Sequence, residues 1–253
     1  MDEWDMDKWK YYGVTHIDHL VCNPTSDLKL DELVELLDLK PLQRVLDVAC
    51  GKGELLCRIA ERWGASCLGV DISPYEVAAA HEKIKARGLG ESVDVLEGDG
   101  ADYEAPDHSL SLAMCIGATW VWGGYRGTID ALMKLVVPGG LLAIGEPFKL
   151  KEPSPEHAAT DPDFVASVVT HAENVEIAVA AGLTPLYALV SNQDDWDRYE
   201  GLQWNAAEAW ARENPDDPDV EELLGRSRKG RDEYLKFGRD TVGWAIYIMR
   251  TPT

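Results

Sequence analysis

Residues 45–56 read Val-Leu-Asp-Val-Ala-Cys-Gly-Lys-Gly-Glu-Leu-Leu, a run that few folds accommodate. An apolar stretch ends near an acid and turns through small residues. It then continues with Leu55, Leu56, Ile59, Ala60 and Trp63 at helical spacing. Small residues at 49, 51 and 53 let another molecule approach the backbone closely, and the first helical turn offers free N–H groups. The run therefore predicts a strand–loop–helix unit with binding capacity at the strand's carboxyl end.

The same alternation recurs along the chain. Apolar runs predict strands over 44–49, 67–70, 93–96, 110–116, 141–145, 186–190 and 242–249. Helices are expected over 28–39, 54–63, 127–137 and 164–181, and another starts at Ser73-Pro74-Tyr75-Glu76, where Ser73 caps, Pro74 opens and Glu76 completes a capping box. Pro138-Gly139-Gly140 stops one helix and opens a strand, and Gly182 is the expected C-cap of the 164–181 helix. No internal repeat is visible, and residues 1–25 show no clear periodicity. Alternating strands and helices imply an α/β, doubly wound, mostly parallel sheet covered on both faces.

Residues 192–240 break the alternation with a segment rich in Trp, Tyr and acid. If the strand before it is parallel and the strand after it antiparallel, the segment leaves from and returns to the carboxyl edge, where open α/β sheets bind ligands. It is expected to be a lid or substrate wall. One domain is expected over 1–253, with a covering N-terminal segment at 1–40, a core at 41–191 and 241–253, and the lid at 192–240.

Charge narrows the partners. The 253 residues hold 45 acids against 24 Lys and Arg, a net of −21, which disfavours nucleic acid and anionic membrane surfaces. The lid carries much of it: residues 192–222 hold eleven acids against Arg198 and Arg212, a net of −9. Such a wall repels anionic substrates and tolerates neutral or cationic ones. No run approaches the ~20 apolar residues of a membrane span, and the opening Met-Asp-Glu-Trp-Asp lacks the regions of a signal peptide. Five cysteines without a Cys-x-x-Cys point to neither a disulfide framework nor a metal site, so a reducing cytoplasmic setting is expected.

Two more acids follow strands: Asp71 after Gly69-Val70, and Asp99 in Glu97-Gly98-Asp99-Gly100. Three acids at successive strand ends suit a ligand with an amine, a ribose and an adenine edge. In this order the residues resemble the class I S-adenosylmethionine-dependent methyltransferases, most closely the bacterial small-molecule type related to the ubiquinone-biosynthesis enzymes. The resemblance implies a Rossmann-like seven-stranded sheet of order 3-2-1-4-5-7-6, the last strand antiparallel. It also implies S-adenosyl-L-methionine held at Asp47, Ala49, Cys50, Gly51 and Gly53, with Asp71 on the ribose. Ile72 would pack on the adenine, Asp99 and Gly100 would meet its edge, and Cys115 would line the cofactor side. Two residues depart from the pattern: Ala49 stands for the loop's first glycine, and Ser111 for the usual acid early in strand four. The rival dinucleotide motif wants a third glycine where Leu56 stands, and it gives Asp47 and Asp99 no role.

Methyl transfer is an in-line displacement that needs alignment, exclusion of water and a base only for a protonated nucleophile. Substrate contacts are expected after strands four and five, at Gly117, Thr119, Trp120 and Trp122 and then at Glu146 and Phe148. Glu146 is the candidate catalytic group, as base or as partner of a cation, with loop ordering as its alternative. Of Trp196, Tyr199, Trp204 and Trp210 in the lid, one or two should line the pocket, Trp196 and Tyr199 first. For His16, His19, Tyr11 and Tyr12, packing is the default. The basic group Arg226, Arg228, Lys229 and Arg231 reads as a helix face pairing with acids. No Asn/Asp-Pro-Pro-aromatic run of nucleic-acid amino-methylating enzymes follows strand four. The expected function is methylation of a small soluble metabolite, and the alternative is a non-catalytic cofactor-binding sensor or scaffold.

Overall fold

β1 (Arg44–Val48) lies inside the sheet, between β2 (Ser66–Asp71) and β4 (Leu110–Ile116) and parallel to both. The computed structural model describes residues 5–253, so the first four residues of the 1–40 segment lie outside the described part. Seven strands form one sheet in the order β3-β2-β1-β4-β5-β7-β6. β3 (Val93–Glu97) and β5 (Val136–Lys149) continue the parallel set, while β7 (Val242–Arg250) runs antiparallel between β5 and β6 (Thr184–Val190).

The sheet separates two apolar layers. One face carries Val45, Leu112, Met114, Ala143 and Ile248 against α2 (Asp27–Leu36), α3 (Glu54–Trp63) and α4 (Pro74–Arg87). The other carries Leu46, Val48, Ala113, Leu142 and Tyr247 against α5 (Tyr125–Leu135) and α8 (His171–Ala180). This alternation along each strand is the period-two pattern of a sheet buried on both sides. α1 (Lys8–Thr15) lies in the segment without clear periodicity, where Asp7 caps it by accepting from the Trp9 N–H.

Several boundaries move. β5 starts at Val136 and includes Pro138-Gly139-Gly140, across which its register against β4 shifts: Val136 faces Leu110 and Leu141 faces Leu112. The single helix expected over 164–181 is two, α7 (Pro162–Ser167) and α8, preceded by the short α6 (Pro155–Ala158). Thr170 accepts from the Glu173 N–H while Glu173 bonds back to the Thr170 N–H, a full capping box that starts α8 afresh.

The 192–240 segment is helical throughout its main body: α9 (Gln193–Glu213), α10 (Val220–Glu233), a π-helical turn and α11 (Arg239–Thr241). It leaves after β6 and returns into β7, at the carboxyl edge. Lys29 on α2 pairs with Asp195, and Lys10 on α1 pairs with Asp217 and Asp219, so cations of the N-terminal segment meet its acids. Arg228 pairs with Glu208, as expected of the basic face. Among the described residues, no helix is long and apolar enough to cross a membrane.

Candidate active site

The loop after β1 takes the conformation its small residues permit. Ala49, Gly51 and Gly53 have φ of 58°, 53° and 63°, the left-handed region that glycine enters at least cost. The Ala49 and Cys50 N–H groups both donate to the Val70 carbonyl, at 2.7 and 3.2 Å, which ties the loop to β2. A Cβ at Gly51 would come within 3.7 Å of Cys22 Sγ and 3.8 Å of Glu76 Oε2, so the loop faces a space bounded by those two groups. Gly53 ends the loop as the N-cap of α3.

Three buried acids surround this loop. Asp71 accepts from the Gly51 N–H with one oxygen (2.7 Å) and from the Ser73 N–H with the other (2.9 Å), leaving further lone pairs on both. Asp47 is 4% exposed and its Oδ1 has no hydrogen-bond partner. Burial, with Asp71 nearby, pushes its carboxyl up to about 7. The third acid, Glu76, was expected to close a capping box. Ser73 does accept from the Glu76 N–H, but the Glu76 carboxylate turns toward Cys22 Sγ at 3.8 Å, and burial raises its pKa. The Ser73 N–H is already taken by Asp71, which frees Glu76 for the loop.

Gly100 is the required residue beyond β3, because a Cβ there would lie 2.2 Å from Val48 Cγ1. Asp99 is exposed and accepts from the Ala101 N–H at 2.9 Å, which leaves its second oxygen free. Ile72 is half-buried. The side chains of two cysteines expected on the cofactor side point into the packing. Cys115 is wholly buried in the core on β4, beside Val48 and Ile144, because a small apolar side chain fills that position. Cys50 packs its sulfur toward Gly69, where a Cβ would sit 2.5 Å away, so only its backbone faces the loop's open side.

A cavity of about 740 Å³ opens beside this cradle. Glu146 on β5 stands in its wall, half-buried, with Oε2 unpartnered. Burial pushes its carboxyl up to about 7, against a hydrogen bond to Thr119 that pulls it down. Trp120, Trp196 and Tyr199 line the cavity, and so do Gly117 and Thr119. Phe148 does not: it is 7% exposed, packed on His171 and filling the space over Gly243, where a Cβ would meet its ring at 2.4 Å. Trp204 packs within the helical insertion, on Tyr234, and Trp210 packs toward the N-terminal segment, beside Lys10 of α1. Sequence reasoning missed Trp244 and Asn174, which reach the cavity from β7 and α8; only the folded sheet brings them there.

Does the cradle fit S-adenosylmethionine? Asp47 holds an orphaned buried oxygen, Asp71 has lone pairs to spare, and three acids face a ligand that carries an ammonium and a sulfonium. The residues fit the group. A family described as methyltransferase domain matches residues 45–140. A crystal structure of a SAM-dependent methyltransferase from Geobacter sulfurreducens, in complex with S-adenosyl-L-homocysteine, is 30% identical, with a TM-score of 0.90 over 99% of this chain and 100% of that one. The chain is a SAM-dependent methyltransferase. It is also 29% identical to the uncharacterized Escherichia coli protein YjhP, over 96% of this chain and 99% of that protein. The demethylmenaquinone methyltransferase of Thermus thermophilus is 32% identical over 114 residues, 45% of this methyltransferase and about half (51%) of that enzyme.

Proposed function

We propose that this methyltransferase acts on a small neutral or cationic molecule seated in the 740 Å³ cavity, with Glu146 taking the proton that leaves the nucleophile. S-adenosylmethionine, when bound, supplies an electrophilic methyl group. Asp47, Asp71, Asp99 and the backbone of 49–53 would hold it, Asp71 by the ribose hydroxyls and Asp47 by the ammonium.

The observation that carries the reading is the unpartnered Oε2 of Glu146 in a wall that Trp120, Trp196, Tyr199 and Trp244 share with polar groups such as Thr119 and Asn174. A buried carboxylate oxygen left without a donor is costly unless a ligand supplies one. With its pKa at about 7, it can exist as a base at neutral pH and receive a proton without a large penalty. The aromatic walls exclude water and suit a flat or apolar acceptor, and the T. thermophilus relative is named for demethylmenaquinone.

Among the described residues lining the cavity Arg126 is the one cation, and Asp130 already holds it at 2.9 Å. A polyanionic acceptor would therefore find no free counter-charge there. Residues 192–240 act as the lid on this reading, and the N-terminal segment covers the cofactor. A sensor or scaffold would need neither the cavity nor Glu146. All five cysteines are free, which suits a reducing compartment such as the cytoplasm.

The test is incubation of the protein with methyl-labelled S-adenosylmethionine and a metabolite extract, followed by mass spectrometry. A labelled small molecule that is absent with Glu146→Gln supports the reading. Label found only in polyanionic products, or transfer undiminished in Glu146→Gln, overturns it.

A further inference from the structure

Lys52 lies between the two glycines of the cofactor loop, at a position to which the motif gives no role. Its Nζ donates to three backbone carbonyls: His16 at 2.7 Å, Ile17 at 2.9 Å and His19 at 3.1 Å. These carbonyls belong to the chain leaving α1, where a helix ends with unsatisfied acceptors and a partial negative charge. One ammonium satisfies all three, so the 16–19 turn is seated on the cofactor loop.

The same turn grips the wall of the substrate cavity. His16 Nε2 bonds to Tyr199 Oη at 2.9 Å, and His19 Nε2 donates to the Tyr199 carbonyl at 2.8 Å. Both imidazoles pack on the Tyr199 ring, with centroids 5.6 and 4.9 Å away. Tyr199 and its neighbour Trp196 line the cavity, and so do Cys22, Asn23 and Pro24, the residues that follow the turn. Two walls of the cavity thus meet at a turn that is bonded to the loop through Lys52.

We propose that Lys52 is a positioning residue that couples occupation of the cofactor loop to closure of the substrate cavity, so that cofactor binds before acceptor. The loop backbone is held from below by Val70 and Asp71. A bound cofactor would contact the same loop and so fix the stem from which the ammonium reaches the turn. Without that support the loop can shift, the three carbonyls lose their shared donor, and Tyr199 is released with the turn. The coupling rests on the cofactor site and not on the identity of the acceptor. By linkage it works in both directions: an ordered turn also favours the loop conformation that binds cofactor.

Backbone hydrogen exchange with S-adenosylhomocysteine as probe reads this without turnover. In the native protein, saturation should slow exchange across residues 8–24 and 193–204 about tenfold, within the 5–150-fold range usual for coupled sites. Lys52→Met keeps the stem and removes the donor. Saturated by calorimetry, it should protect 49–53 and 71–73 as before while 8–24 and 193–204 exchange at the ligand-free rate. Lys52→Arg should restore part of the protection. Equal protection of both segments in Lys52→Met overturns the proposal. So does a native protein whose 8–24 and 193–204 exchange is unmoved although calorimetry records binding, which would leave the cofactor site standing. Absence of any binding would instead remove the cofactor site itself, and the coupling with it.

Discussion

Asp71 Oδ2 accepts the Gly51 N–H at 2.7 Å, so the acid ending the second strand holds the loop that hangs from the first. One side chain thereby shapes the cradle and also presents the acceptor for a ribose. Asp71→Ala removes both, and S-adenosylhomocysteine affinity should fall by about 1.5–3 kcal/mol, the range for hydrogen bonds to a charged group. Calorimetry showing unchanged affinity would separate Asp71 from the cofactor.

Glu146 must be ionised to accept a proton, and burial sets its pKa at about 7. Methyl transfer at saturating substrate should rise with pH through about 7 and level off above it. Glu146→Gln should lower kcat by about 10²–10⁴-fold, the usual share of a general base, with S-adenosylhomocysteine affinity kept. A pH profile flat from 5 to 8 in the native enzyme would argue against the base role.

Asp47 is raised to about 7 by burial and by Asp71, so without ligand it is partly protonated at neutral pH. An ammonium placed beside it favours the carboxylate, so binding should release a proton and tighten as pH rises from 6 to 8. The sign for the ligand-free fold is opposite. A raised acid stabilises below its unfolded pKa, and the contribution is lost as pH rises through about 7. Calorimetry in two buffers of different ionisation enthalpy measures the proton, which Asp47→Asn should abolish.

Glu54, at 1% exposure, receives Arg58, Lys83 and Arg87. Burial raises its carboxyl, but these three outweigh burial and hold it at about 2. Its contribution is present above the unfolded carboxylate pKa and lost as pH falls toward 2. Glu54→Gln takes the buried carboxylate from Lys83, from Arg58, which keeps Asp27 and Asp31, and from Arg87, which keeps Glu61; it should cost about 3 kcal/mol, the low end for breaking a buried pair. Urea unfolding at pH 7 and pH 3 checks both the size and the pH dependence.

The β1–loop–α3 unit was legible because steric demands there leave few residue choices. Gly51 and Gly53 need positive φ, Gly100 sits against Val48, and the acids fall at strand ends. The break between α7 and α8 had a local signal, Thr170-His171-Ala172-Glu173, which the apolar periodicity on either side concealed. Glu76 illustrates the opposite case. Its spacing from Ser73 fits a capping box, but the prior claim of Asp71 on the Ser73 N–H sends the side chain to Cys22. Phe148 and Trp244 were assigned or missed for one reason: which of two neighbouring strands fills the cavity depends on register, and register is a property of the assembled sheet.

The cradle and the cavity draw on the chain differently. Asp47, the 49–53 loop, Asp71 and Asp99 fall within a little over fifty consecutive residues. The cavity is assembled from stretches as far apart as Cys22 and Trp244. Mutation can therefore rework the acceptor side piecemeal, a tryptophan in one helix or an asparagine in another, while the methyl-donor machinery stays whole. Such a molecule is a fixed engine with exchangeable tooling, and its lineage can change trades without relearning how to hold the donor.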